Sequence, residues 1–188
     1  PQLYNLSAVA YESLMLALFE IHLGPANEVC GQGGYPKTTE LMTAFSRDGF
    51  HWHRPDRTAF IPAARERGSW DRGYVQSVGG LCLVTGDELW FYYTGFRGDE
   101  TIRMGVGGIE QHNQTGSYAF GSTGIAVLRR DGFASMCAGR TRGKLLTRPV
   151  VFSGGDLFVN AAFPAGDLAI EVCDRHGKPI PGFDRSAC

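Results

Sequence analysis

The sequence feature that most constrains the fold is a hairpin. Leu89-Trp90-Phe91-Tyr92-Tyr93-Thr94-Gly95 faces Val75 to Val84 across Thr85-Gly86-Asp87-Glu88. Aromatic and β-branched residues fit a pleated, half-buried surface, and a Gly-Asp pair supplies the tight turn between such runs. A chain with this segment must build antiparallel sheet around it. Glycine is frequent (26 residues) and aromatics make up 12% of the chain, so short strands joined by tight turns are expected elsewhere too.

Other segments repeat the pattern. Leu14, Leu16, Leu18 and Glu20 fall on one face of a strand, and Met15, Ala17, Phe19 and Ile21 on the other. A strand apolar on both faces is buried between layers, although Leu, Met, Ala and Glu also favour a helix here. Gly24-Pro25 stops either element, and residues 24–39 read as a loop. Leu41 to Ser46 is a strand closed by Arg47-Asp48-Gly49, and Phe50 to His53 begins the return. Ser122 to Arg129 is a strand closed by Arg130-Asp131-Gly132-Phe133. The two Arg-Asp-Gly-Phe turns, each after a strand, suggest a structural repeat.

From residue 144 the cadence changes. Leu145–Phe152, residues 157–162 and residues 168–173 read as strands, with turns at Gly154-Gly155-Asp156, Pro164 to Asp167 and Arg175 to Pro179. This spacing is that of a β-sandwich. A boundary is expected near Gly139 to Gly143.

Charge and cysteine content exclude several classes. Lys plus Arg is 18 against 19 Asp plus Glu, so a phosphate-neutralising nucleic-acid binder is disfavoured. Leu14 to Leu23, interrupted by Glu20 and His22, is too short to span a bilayer. The five cysteines have no C-x-x-C spacing, so no zinc ribbon or redox motif is expected. His51 and His53 share a strand face, but no third ligand is spaced to complete a metal site. No cofactor is expected: the glycines at 105, 107 and 108 precede no helix that would cradle a phosphate. Asn113-Gln114-Thr115 is a formal glycosylation sequon.

The segments Phe45 to Trp52, Trp70-Asp71-Arg72-Gly73 and Gly86 to Gly95 resemble blades of five-bladed β-propeller glycosidases. The likeness is to glycoside hydrolase family 32, with related patterns in family 43 and the mannoside phosphorylases. Gly124 to Phe133 with Leu145 to Asp184 resembles the passage into the β-sandwich that follows such a propeller. The resemblance implies an all-β fold: a partial five-bladed propeller over residues 1–140, then the start of a C-terminal sandwich over 141–188. Blades of common repeat families take about 40–50 residues. The expectation is therefore two to three blades, with parts of the propeller lying outside this sequence or supplied by another copy.

The resemblance also implies a carbohydrate substrate of fructoside type and three acidic residues. Tyr11-Glu12-Ser13 occupies the place of the acid/base glutamate, with Ser13 where the family has cysteine. No Asn-Asp-Pro nucleophile motif is present. Hydrolysis needs two carboxyls about 5–5.5 Å apart for retention or roughly 6.5–9.5 Å for inversion. Glu12 and Asp71 are the candidate catalytic carboxylates. Tyr11, Trp52, Arg72, Tyr74 and Gln76 are the candidate substrate-binding residues, since sugar sites combine aromatic platforms with charged and amide hydrogen bonders. The alternative function is a non-catalytic carbohydrate-binding or structural propeller module.

Overall fold

The computed structural model describes residues 1–188 apart from Gly34, Val78, Gly80, residues 102–115 and Phe163. It separates into two compact units, Pro1–Ala134 and Ser135–Cys188. The first unit is antiparallel β-structure with one short helix. Among the described residues its sheets form no closed barrel or propeller.

The first sheet has the order β1 (Gln2–Tyr11), β2 (Leu14–Gly24), β3 (Thr38–Ser46). β1 and β2 form a hairpin closed at Glu12-Ser13, and β2 pairs with β3 on its other side. Glu12 takes the left-handed conformation that this tight turn needs (φ 51°). β2 is thus the central strand. Leu16, Ala17, Leu18, Phe19, Glu20 and Ile21 are all buried, so both of its faces are covered. The doubly apolar pattern is satisfied by a strand, and the helical alternative is not realised.

The second sheet is organised on β6 (Glu88–Phe96). Along one side β6 pairs with β4 (Tyr74–Ser77) near its end and with β5 (Leu83–Thr85) near its start. Along the other it pairs with β7 (Gly121–Arg129) over its whole length. The expected continuous strand over 75–84 is therefore two strands sharing one partner. Between them Leu81 is buried with a left-handed backbone (φ 57°), which a continuous ladder does not tolerate.

The two sheets meet through their inner faces. Leu16 and Leu18 of β2, Leu41 of β3, Val75 of β4 and Leu89 and Phe91 of β6 form one buried cluster with Ile61, Ala63 and Leu81. Truncating a residue such as Phe91 to alanine costs about 3–5 kcal/mol in cores of this kind. Phe133, just after the second Arg-Asp-Gly, packs edge-on against Tyr11, Phe45 and Phe91. Phe50, its counterpart after the first, is 87% exposed.

The two turns differ in detail. Asp48 caps its own turn, accepting from the backbone N–H groups of Phe50 and His51, and these hold its carboxyl well below the usual range. Asp131 is itself left-handed (φ 58°) and accepts from the Tyr11 hydroxyl instead. The return strand expected from Phe50 to His53 is reduced to single bridges at Phe45–His53 and Leu41–Ile61.

The loop expected over 24–39 contains a short helix, α1 (Asn27–Gly33). The glycines around it concealed that turn of helix.

The second unit departs from expectation most. The strands expected over 145–152, 157–162 and 168–173 are absent, and a single bridge joins Cys173 to Pro179 among the described residues. A strand needs a hydrogen-bonded neighbour, and alternation alone does not supply one. Val151, Phe152 and Phe158 are exposed as a result. The turn expected at 175–179 is present: Asp174 accepts from the N–H groups of His176 and Lys178.

Candidate functional site

The expected site residues fall at opposite ends of the two-sheet core. Tyr11 and Glu12 lie at the β1–β2 turn, where they meet the turn after β7. The Tyr11 hydroxyl donates to Asp131 at 2.5 Å, and burial together with this carboxylate raises its pKa. Arg130 donates to Glu12 Oε1 at 2.9 Å. Arg130 also donates its backbone N–H to Asp87, beside the first residue of β6. Glu12 thus sits at the Glu88 end of the second sheet.

Asp71 sits at the other end. Its Cα and Cβ press on Gly95, so closely that a side chain at 95 would collide with them. Glu88 and Gly95 are separated along β6 by about 23 Å, at roughly 3.3 Å per residue. Glu12 and Asp71 therefore lie toward opposite ends of β6, and the structure does not bring them together as a pair flanking one glycosidic bond.

Asp71 and Arg72 precede β4 and belong together, whereas Tyr74 and Gln76 on β4 project to the face opposite Val75 and Gly95, away from Asp71. Ser69 Oγ donates to Asp71 at 2.6 Å. Trp70 packs on Tyr93 (5.3 Å between ring centroids) and over Gly124, which pairs with Tyr93. Burial, then the charge on Asp71, raises the Tyr93 hydroxyl. Arg72 and Arg67 grip the two oxygens of Glu100 at 2.8 and 2.7 Å. Trp70 keeps 37% of its surface exposed. The corner therefore presents an aromatic plane bordered by one carboxylate and a guanidinium–carboxylate array. Gln76 follows on β4, opposite Thr94.

Trp52 is elsewhere. Its indole N–H donates to Gly49 and its ring meets Phe19 edge-on, on the outer face of the first sheet. His51 is tied to Asp48 at 2.7 Å. The glycines at 105, 107 and 108 and the sequon at 113–115 lie outside the described residues.

Tyr74 opens onto a polar cluster that was not anticipated. Lys37, 3% exposed, donates from its ammonium to the Tyr4 hydroxyl at 2.6 Å. The same ammonium lies 4.7 Å from the Tyr4 ring centroid, 5.6 Å from Tyr74 and 5.4 Å from Tyr118. Burial pulls Lys37 down, and the hydroxyls of Tyr118 and Tyr4 more than reverse this, leaving it raised.

Beside this cage Glu20 is fully buried, with no hydrogen-bond partner on either carboxyl oxygen. Burial raises it to about 7, against the opposing pull of the Tyr74 hydroxyl and the Lys37 ammonium. Burial and then the charge on Glu20 raise Tyr74 in turn. A cleft of about 340 Å³ lies alongside, lined by Tyr4, His22, Asn27 and Glu28 among others. A charged residue at an inward position of a doubly buried strand was the sequence signal for Glu20. Lys37, after Gly33 and Pro36, carried none.

No protein-family model, no curated protein and no solved structure matches this chain.

Proposed function

We propose that this chain is part of a propeller-type, glycosidase-like protein that holds carbohydrate at the corner formed by Trp70, Asp71 and Arg72. In this reading the two sheets are neighbouring blades. The outer faces support it. Phe19 and Ile21 pair across the first sheet with the partly open Leu6 and Leu3. Leu83, Trp90, Tyr92, Ile125 and Val127 share the outer face of the second sheet and, apart from the half-buried Trp90, are exposed. Flanking blades would bury both. The sandwich at 141–188 belongs to the same proposal and rests on the apolar alternation of that segment.

One observation carries the functional reading: the exposed Trp70 ring is fixed on Tyr93 and bordered by Asp71 and the Arg72–Glu100 pair. A sugar ring stacks its C–H face on such a plane and directs hydroxyls to carboxylate and guanidinium. Asp71 is the carboxylate nearest the sugar. In this reading the second carboxylate that hydrolysis requires is supplied from elsewhere, because Glu12 lies toward the opposite end of β6 from Asp71. That separation favours the second reading, in which these residues bind carbohydrate without cleaving it. The test is calorimetric titration with fructo-oligosaccharides. Asp71→Asn and Trp70→Ala should each weaken binding at least tenfold. Unchanged affinity in both variants overturns the assignment.

A further inference from the structure

Glu20 and Lys37 are the two charged side chains buried in the end of the core where β1, β2 and β4 converge. The surroundings of both suit only one protonation state of Glu20. The Lys37 ammonium is held by neutral phenols, donating to Tyr4 at 2.6 Å with Tyr118 also acting on it. Glu20, behind the same cage, has neither oxygen in hydrogen-bond geometry, with the Tyr74 hydroxyl the neighbouring group that acts on it. A buried ionised carboxylate without hydrogen bonds is strongly unfavourable, and a charged acceptor binds an ammonium about twice as strongly as a neutral one. The present arrangement therefore fits the neutral carboxyl, and the ionised one calls for another.

We propose that Glu20 and Lys37 form a latent ion pair, and that ionising Glu20 draws the Lys37 ammonium away from Tyr4, freeing the Tyr4 ring to reshape the cleft it lines. The device has two states and one moving charge. The titratable groups around it come from every packed element: Tyr4 from β1, Glu20 and His22 from β2, Cys30 from α1, Lys37 from the segment before β3, Tyr74 from β4 and Tyr118 from the short helix at Gly116–Tyr118. Glu28 of α1 lines the cleft beyond Tyr4. Glu40 of β3 is paired with Arg65 and shares a face with Ile21, away from Glu20. The burial-raised carboxyl places the switch near neutral pH. Tyr4 carries the change outward because its ring meets His22, which lines the same cleft.

The experiment follows the ¹³C signals of glutamate side-chain carboxyls and tyrosine Cζ atoms from pH 5 to 9. A glutamate titrating near pH 7 should be accompanied, at the same midpoint, by movement of Tyr4. Glu20→Gln should abolish both transitions, and His22→Gln should leave them in place. The proposal fails if Glu20 titrates while Tyr4 stays still, or if Tyr4 moves identically in Glu20→Gln. Should Glu20→Gln not fold, the two wild-type midpoints decide: coincidence supports the switch, and divergence overturns it.

Discussion

Thr39 of β3 holds Val75 of β4 from both sides. Its Oγ1 donates to the Val75 carbonyl at 2.8 Å and accepts from the Val75 N–H at 2.8 Å. The Thr39 N–H adds a bond to Gly73, whose lack of a side chain lets Pro36 and Lys37 lie against it. One hydroxyl thus fastens the first sheet to the start of the second, at the end where Asp71, Tyr74 and the Lys37 cage lie.

Thr39→Val keeps the shape and removes both hydroxyl bonds, leaving a buried donor and acceptor unpaired. A loss of about 2–3 kcal/mol is expected, read as a shift of the urea midpoint with unchanged slope. Thr39→Ser, which keeps the hydroxyl, should recover most of it.

Stability should depend on pH through Glu20. Its folded value, about 7, lies above its ordinary 4.5. The folded state therefore holds the proton more tightly. The stability this confers is complete below about pH 4.5 and is lost as pH rises to about 7, by roughly 3 kcal/mol at most. Asp48 works in the opposite sense: its depressed carboxyl stabilises the fold above the ordinary carboxylate range, and that contribution is lost as pH falls. Chemical denaturation from pH 4 to 8 should show the upper decline in wild type and its absence in Glu20→Gln.

Gly124 is the floor beneath Trp70. A Cβ there would stand 2.3 Å from the indole, well inside contact distance. Gly124→Ala should displace Trp70 at a cost of about 1–3 kcal/mol and weaken carbohydrate binding together with it. Near-ultraviolet circular dichroism and a binding titration on the same sample test the coupling.

Glu12→Gln should have little effect. Its ion pair with Arg130 joins two half-open side chains, and such pairs contribute at most about 1 kcal/mol. Carbohydrate affinity should be unchanged within twofold, in contrast with Asp71→Asn.

How far the sequence discloses this molecule depends on what a residue needs in order to be placed. β2, β3, β6 and β7 are legible because apolar periodicity and Asp-Gly or Gly-Asp turns are local signals. The strands of residues 145–173 are not realised, because pairing is non-local and alternation does not name a partner. Asp71 and Arg72 are adjacent, so one segment carries them together, while strand alternation turns Tyr74 and Gln76 to the other face of β4. Glu12 entered by resemblance, and its position at the far end of β6 follows from strand direction, which no motif encodes. Lys37, Tyr4 and Tyr118 are distant in sequence, and their meeting with Glu20 is a product of the β1–β2–β3 register and the approach of β4.

The three tryptophans offer the most direct test of where carbohydrate is held. Trp70 stands in the turn before β4, Trp52 on the outer face of the first sheet and Trp90 on that of the second. Indole N–H signals should be followed by NMR during titration with a fructo-oligosaccharide, after assignment by single Trp→Phe replacement. The Trp70 signal should move saturably while Trp52 and Trp90 stay in place. Movement of Trp52 or Trp90 with Trp70 unmoved, or no movement of any indole, would contradict it.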